Sequence, residues 1–221
     1  MFDFIFHIPG LAAVKDLNSI YQRITPDLVD VLGWRNSEQC IGKTDHDLPC
    51  KASESAEFYI EQDKKVIEKP APLASLEVQQ YADGWKLLMC ERRPIKNNND
   101  EVIALFSYGI NCSKRHLAKD YWSLYHIDKK FFNNATPVSY ILSQSHSPLN
   151  LTEKQEICLF YLIRGKSVKE IGQLLKLSPR TVESHIDAMK LKLYCEKKSQ
   201  LIEKAIMSGF VNYIPALLQV A

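Results

Sequence analysis

Arg180, Thr181, Glu183, Ser184, Asp187, Lys190 and Lys192 fall within a stretch of about four helical turns and differ in what they offer a polyanion. Guanidinium and ammonium groups neutralise phosphates, carboxylates accept from cytosine N4, and hydroxyls pair with several base edges. Between them run Val182, Ile186, Met189 and Leu193, whose spacing puts the apolar residues on one helix face and leaves the polar set on the other. Lys169 adds a cation upstream, and the first N–H groups of a helix opening at Ser178 can donate to a phosphate oxygen. This is the chemistry of contact with a nucleic-acid duplex. The alternative is a helical bundle whose scattered charges only solvate its outer faces.

Such a helix needs neighbours to aim it. Thr152 with Gln155 and Ser167 with Glu170 both fit S/T-x-x-E/Q, in which two side chains satisfy otherwise unpaired backbone N–H groups reciprocally. Ser178 followed by Pro179 is a third start, and Ser199 a fourth. Gly165 suits a left-handed stop after the apolar run Ile157, Phe160, Tyr161 and Ile163. The spacing predicts helices over 152–164, 167–175, 178–193 and 199–208. The middle pair, with the stripe Ile171, Leu174, Leu175 and with Leu177 in a short turn, reads as a helix-turn-helix.

The segment resembles the C-terminal DNA-binding domain of LuxR-type transcription regulators. The residues in register are Leu151-Thr152, Gly165, Ser167, Lys169-Glu170-Ile171, Ser178, Thr181-Val182, His185 and Lys192-Leu193. The resemblance implies that the third helix enters the major groove, with Glu183, Ser184 and Asp187 toward the bases. Lys169, Ser178, Arg180, Thr181, Lys190 and Lys192 complete the expected DNA-binding set. Lys154-Gln155 stand where the family usually has Arg-Glu, and Gly172 where it has alanine. Many members carry a basic residue at the position of Asp187, so their preferred DNA sequence does not transfer.

Composition sets bounds on the remainder. The 221 residues are 46% hydrophobic, enough for two modest cores. The net charge of +2 is unevenly placed, with residues 148–221 holding four more basic than acidic groups. The six cysteines form no C-x-x-C pair or zinc-spaced cluster, so reduced structural thiols are expected. Without an evident signal peptide or a membrane-length apolar run, the expectation is a cytoplasmic protein with no membrane contact. There is no Gly-rich phosphate loop, nucleophile elbow or H-E-x-x-H, so an enzyme is not expected.

Residues 1–113 read as strands and helices. Leu11–Leu17 and Ile20–Ile24 form one expected strand pair. Leu76–Ala82 and Trp85–Ile95 form a hairpin around Asp83-Gly84, followed by a strand over Val102–Ile110. A helical stretch from about Ser53 to Glu68 lies between the two groups, with Ala56, Tyr59, Ile60, Asp63, Val66 and Ile67 near one face. Strands, helices, then strands suit an antiparallel sheet with helices on one face.

That order resembles a PAS sensor domain. So do Pro9-Gly10, Val14-Lys15-Asp16, Ile41-Gly42-Lys43-Thr44-Asp45, Asp47-Leu48-Pro49, Arg93-Pro94-Ile95 and Ile110-Asn111-Cys112-Ser113-Lys114-Arg115. The resemblance implies a small cavity between sheet and helices that holds a ligand or is filled by side chains. Tyr21, Phe58, Trp85, Arg93 and Tyr108 are the candidate ligand-binding residues. Nothing supports haem or flavin, since no histidine lies on the long helix and Cys40-Ile41-Gly42 is not a flavin-adduct motif; the cofactor stays unknown.

The whole reads as α+β: a PAS-like sensor domain over 1–113, a helical linker and connecting segment over 114–148, and an all-α helix-turn-helix domain over 149–221. Leu117, Tyr121, Leu124 and Phe131 approximate a short dimerising seam broken by Asp128, and Asn133–Pro148 reads as a turn-rich connection. The expected function is DNA-binding transcription regulation by a homodimer whose PAS-like domain senses a small molecule or mediates dimerisation. The alternative is a ligand-free PAS partner-binding module on a helix-turn-helix that contacts RNA polymerase.

Overall fold

A computed structural model of the chain describes residues 9–112 and 138–218. The expected linker helix and its seam lie outside these residues. The chain divides into two compact units, Met1–Ser139 and Tyr140–Ala221.

The first unit is built on an antiparallel sheet. Strands β1 (Leu11–Lys15) and β2 (Tyr21–Ile24) pair as the sequence suggests, and β3 (Leu73–Tyr81), β4 (Gly84–Lys96) and β5 (Val102–Asn111) follow. With β6 (Val138–Ile141) the strand order is β2-β1-β5-β4-β3-β6. Helices α1 (Pro26–Leu32), α2 (Ser37–Cys40) and α3 (Ala56–Glu68) occupy the crossover between β2 and β3, with a 3₁₀ turn over Asp45–Asp47. This is the PAS-like arrangement of sheet and helices.

Helix α1 has a start signal that the strand-oriented reading passed over. Pro26 occupies the first turn and Asp27 adds an acid there. Thr25 precedes it, and its hydroxyl accepts from Ala12 N at 3.0 Å and donates to the Gly10 carbonyl at 2.8 Å. The hydroxyl therefore pins the helix start to β1 instead of capping it. Strand β6 corrects the connecting segment, because Val138–Ile141 is extended where Asn133–Pro148 read as turn.

Strands β1 and β3 are largely buried on both faces. Along β3 the residues Leu73, Ser75, Glu77, Gln79 and Tyr81 are buried toward the helices, while Leu76 and Val78 are buried on the opposite side. On that opposite side Ala12, Val14 and Ala104 form a second cluster with Ile95, Phe106 and Tyr108.

The second unit is helical. Helices α4 (Glu153–Ile163), α5 (Val168–Leu175), α6 (Pro179–Lys192) and α7 (Lys198–Met207) fall within a residue or so of the expected spans. Both capping boxes form. Thr152 accepts from Gln155 N at 3.4 Å while Gln155 Oε1 accepts from Thr152 N at 3.0 Å, and Ser167 and Glu170 do the same at 3.3 and 2.8 Å. Ser178 caps α6, accepting from Thr181 N at 3.1 Å. Ser199 is not a cap. The start of α7 is held by Gln200, whose Oε1 accepts from Glu196 N and Lys197 N at 2.8 and 2.9 Å.

Within this core Glu156 is almost fully buried, with Tyr213 Oη donating to its Oε2 at 3.0 Å while Oε1 has no partner. Burial lifts its carboxyl above the usual range, only partly offset by the neighbouring hydroxyls of Ser147 and Tyr213. A raised carboxyl pKa stabilises the fold below the unfolded value of about 4.3 and loses that contribution as pH rises through the folded value. Glu156→Gln is expected to raise the melting temperature at pH 7 by a few degrees and to reduce the difference between pH 5 and pH 7. An unchanged difference in thermal scans would contradict this.

Candidate functional site

Helices α5 and α6 form the helix-turn-helix. The turn is tight because Lys176 takes a left-handed conformation at φ 54° and Leu177 N donates to Gly172 O at 2.8 Å. A Cβ built on Gly172 would lie 2.8 Å from the Leu177 carbonyl oxygen, which explains glycine inside this helix. Alanine improves helix propensity by up to about 1 kcal/mol. Here the contact opposes it, so Gly172→Ala is expected to destabilise the domain by about 1–3 kcal/mol, the usual cost of overpacking. Urea unfolding would measure it, and a gain in stability would contradict the packing argument.

The turn presents α6 with one face buried and one free. Val182, Ile186 and Met189 are buried, while Leu193, the helix's C-cap residue, is half-buried. Leu174, expected in the α5 stripe, is instead 50% exposed, so Ile171 carries that stripe's buried contact. On the free face Arg180, Glu183, Ser184, Asp187 and Lys192 are exposed, Lys190 and Thr181 are half-buried, and Lys169 and Ser178 are exposed at the preceding helix and cap. Ser184 Oγ donates to Arg180 O at 3.0 Å, which leaves its oxygen as an acceptor. Lys190 Nζ pairs with Asp187 at 2.8 Å. This neutralises a charge that would otherwise repel phosphate, and holds Lys190 along the helix.

Residues 149–205 match the family model described as bacterial regulatory proteins of the luxR family. The C-terminal domain is a luxR-family domain. Over 74 residues it is 35% identical to the transcriptional activator protein SolR of Ralstonia solanacearum, covering 34% of this chain and 30% of that protein. It is 37% identical over 62 residues to the transcriptional activator protein LuxR of Aliivibrio fischeri, covering 28% of this chain and 25% of that one. The match thus spans about 30% or less of the length of these curated relatives. A solved Vibrio cholerae VqmA–ligand–DNA complex aligns over 98% of this chain and 89% of its own, at 25% identity and a TM-score of 0.50. The VqmA dimer of Vibrio cholerae without target DNA aligns over 98% of this chain and 90% of its own, at 24% identity and a TM-score of 0.51.

A second candidate site lies in the first unit, remote in sequence from the luxR-family domain. Between the sheet and the helices is a cavity of about 70 Å³. Its apolar wall includes Leu11, Leu28, Leu32, Leu48 and Leu88. Its polar wall is an ionic network. Lys15, at the bulged end of β1, donates to Asp45 of the 3₁₀ turn and to Asp63 of α3, the latter at 3.2 Å. Tyr21 Oη donates to Asp45 at 2.7 Å. Arg92 on β4 donates through Nε to Asp63 at 3.2 Å, and through Nη1 to Ser75 and Glu77 of β3, both at 3.1 Å. Ser75 Oγ donates to Glu77 at 2.8 Å. Asp63 thereby bridges both cations.

Burial opposes the charged form of Lys15, but Asp45 and Asp63 outweigh it and hold the ammonium above its ordinary range. Burial likewise opposes the Arg92 cation, and Glu77 and Asp63 outweigh it. The hydroxyls of Tyr21, Tyr59 and Tyr81 and the thiol of Cys90 are all pushed well up, first by burial and then by neighbouring carboxylates or phenols, so they stay neutral.

Of the five residues expected to bind a ligand, Tyr21 lines this cavity. Tyr108 borders it, but its pairing with Ala12 and Glu91 directs the ring to the opposite face of the sheet, against Ala12 and Val14. Trp85 and Arg93 also belong to that opposite face; Arg93 is exposed and paired with Glu91. Phe58 sits on α3 outside the wall, next to Tyr59, which is in it. The inward arginine is Arg92. Lys15, Asp45, Asp63 and Glu77 were not singled out as ligand contacts, although Asp63 on the apolar face of a predicted helix was a signal of a buried charge needing a partner.

All six cysteines are unpaired, Cys40 and Cys158 being buried with thiols pushed up to about 11 by burial. Among the described residues no group of three or more His, Cys, Asp or Glu is arranged to hold a metal, and no helix is long and apolar enough to cross a membrane.

Proposed function

We propose that this chain is a sequence-specific DNA-binding transcription regulator that acts as a homodimer and takes a small-molecule signal in its N-terminal cavity. The observation that carries the reading is the free face of α6, capped by Ser178 and exposing Arg180, Glu183, Ser184 and Asp187 opposite a fully buried face, within a luxR-family domain. Its relatives over this region are named transcriptional activators, and the VqmA structure is described as a complex with ligand and DNA. In this reading residues 1–113 sense, 114–148 connect and 149–221 bind DNA. A dimer would engage two half-sites about one helical turn apart. The signal would act by its different affinity for DNA-competent and incompetent arrangements.

Gel shifts on genomic fragments, with and without cell extract, test this. Retention of a few fragments against excess competitor is expected; no specific retention in either condition would contradict it. The face assignment has its own test. Lys192→Ala is expected to weaken binding to every sequence and to lower the salt slope by about one, as loss of one phosphate contact requires. Asp187→Ala is expected to change the preference between sequences by about 1–3 kcal/mol and, by releasing Lys190, to raise affinity for unrelated DNA. Equal loss on all sequences for both variants would contradict the assignment.

A further inference from the structure

We infer that the N-terminal cavity takes a small organic cation, a molecule with a protonated nitrogen at one edge and an apolar body, and rejects carboxylates of the same size. This rests on the proposed reading of the cavity as a ligand site. The wall holds three carboxylates, Asp45, Asp63 and Glu77, against two cations, Lys15 and Arg92; each carboxylate is 2% exposed and each cation 6%. With the phenols and the thiol neutral, the formal charge of the wall is −1. Taking such a surplus out of water is costly, and a cationic guest cancels the surplus where a carboxylate doubles it.

A second, independent feature points the same way. The Tyr59 hydroxyl lines the cavity, is buried with its residue only 5% exposed, and makes no hydrogen bond of acceptable geometry, although Tyr81 lies close by. A buried hydroxyl without a partner is uncommon and costs free energy until something supplies one. Its lone pairs can accept from an N–H donor, and Glu77 lines the same cavity. Tyr59 and Tyr81 also line the cavity, and aromatic rings attract a positive charge. Lys15 already stands 4.7 Å from the Tyr21 ring centroid, so the wall uses this interaction once. The leucines interleaved with these groups in the lining fit the apolar body. A volume of about 70 Å³ has room for several water-sized groups, hence for a guest of a handful of non-hydrogen atoms.

The test titrates the full chain with three probes sharing one tail: propylammonium, 1-propanol and propionate. Binding is followed by protein NMR, with the tyrosine resonances as reporters. The expected order is propylammonium tightest, with a Kd at least about tenfold below that of 1-propanol, and no saturable binding of propionate. Tyr59→Phe is expected to reduce the cation's advantage, and Glu77→Gln to abolish it, in protein whose NMR dispersion shows it folded. Should Glu77→Gln fail to fold, Tyr59→Phe alone carries the test, and an undiminished advantage there overturns the inference. Equal binding of the three probes, or tighter binding of propionate, overturns the charge assignment while leaving the cavity a ligand site. Absence of any saturable shift in the cavity tyrosines overturns both.

Discussion

Arg92→Ala is expected to lower the stability of the N-terminal domain by about 3–5 kcal/mol, the range for removing one partner of a buried ion pair. Arg92 reaches Asp63 through Nε and Ser75 and Glu77 through Nη1, and its removal leaves Glu77 with Ser75 and Asp63 with Lys15 alone. Both carboxylates are 2% exposed, so water cannot replace the lost donors without opening the fold. Domains of this size are stable by roughly 5–15 kcal/mol, so the loss is a large fraction of the total. Arg92→Lys is not expected to rescue it, because one ammonium cannot span two carboxylates as the planar guanidinium does. The double variant Arg92→Met, Glu77→Met should recover part of the loss by removing charge and partner together. Urea unfolding followed by a probe in the N-terminal domain would measure all three. A loss below about 1 kcal/mol for Arg92→Ala would mean that the network is solvated, as surface pairs are.

Val182→Asp is expected to unfold the C-terminal domain. Val182 is 0% exposed on the buried face of α6, in line with Ile186 and Met189. A carboxylate there would be buried on the apolar face beside Ile186 and Met189, and burying an unpaired charge is among the few single changes that cost more than about 4 kcal/mol. The N-terminal unit has its own core, so its NMR dispersion should persist while that of the C-terminal helices collapses and DNA retention is lost. The neighbouring Glu183→Ala, on the exposed face, should stay within about 0.5 kcal/mol of the parent. Opposite outcomes for adjacent residues test which side of the helix is free. Similar stability for both would contradict it.

The helical half was legible because its signals are local. Thr152 with Gln155, Ser167 with Glu170, and Ser178 with Pro179 each announce a helix start within four residues, and all three serve as starts. The pair β1–β2 and the hairpin β3–β4 were legible for the same reason. Ser199 failed because the helix already begins at Lys198, its start held by Gln200 reaching backward to Glu196 N and Lys197 N. Helix α1 carried a comparable start in Thr25-Pro26-Asp27, overlooked because the segment follows directly on a strand.

The cavity was harder to read, and the reason lies in the sheet. Alternation identifies an inner face only when the other face meets water. Here Leu76, Val78 and Leu87 are buried on one side while Ser75, Glu77 and Arg92 are buried on the other, so the apolar parity pointed away from the cavity. That is why Arg93 stood in for Arg92. The five charged residues of the network are spread from Lys15 to Arg92, and only tertiary structure brings them together. The two acids expected to face bases, Glu183 and Asp187, are legible in the helix periodicity, and the structure adds the Asp187–Lys190 pair, which restrains one of the expected phosphate contacts.

The most direct test of the account is selection of DNA by the full chain from a random duplex library, sequenced over successive rounds at fixed salt. The account predicts enrichment of one motif made of two inverted half-sites centred about one helical turn apart, with enrichment lost in protein carrying Val182→Asp. A final pool indistinguishable from the input library, from protein shown to be folded, would contradict it.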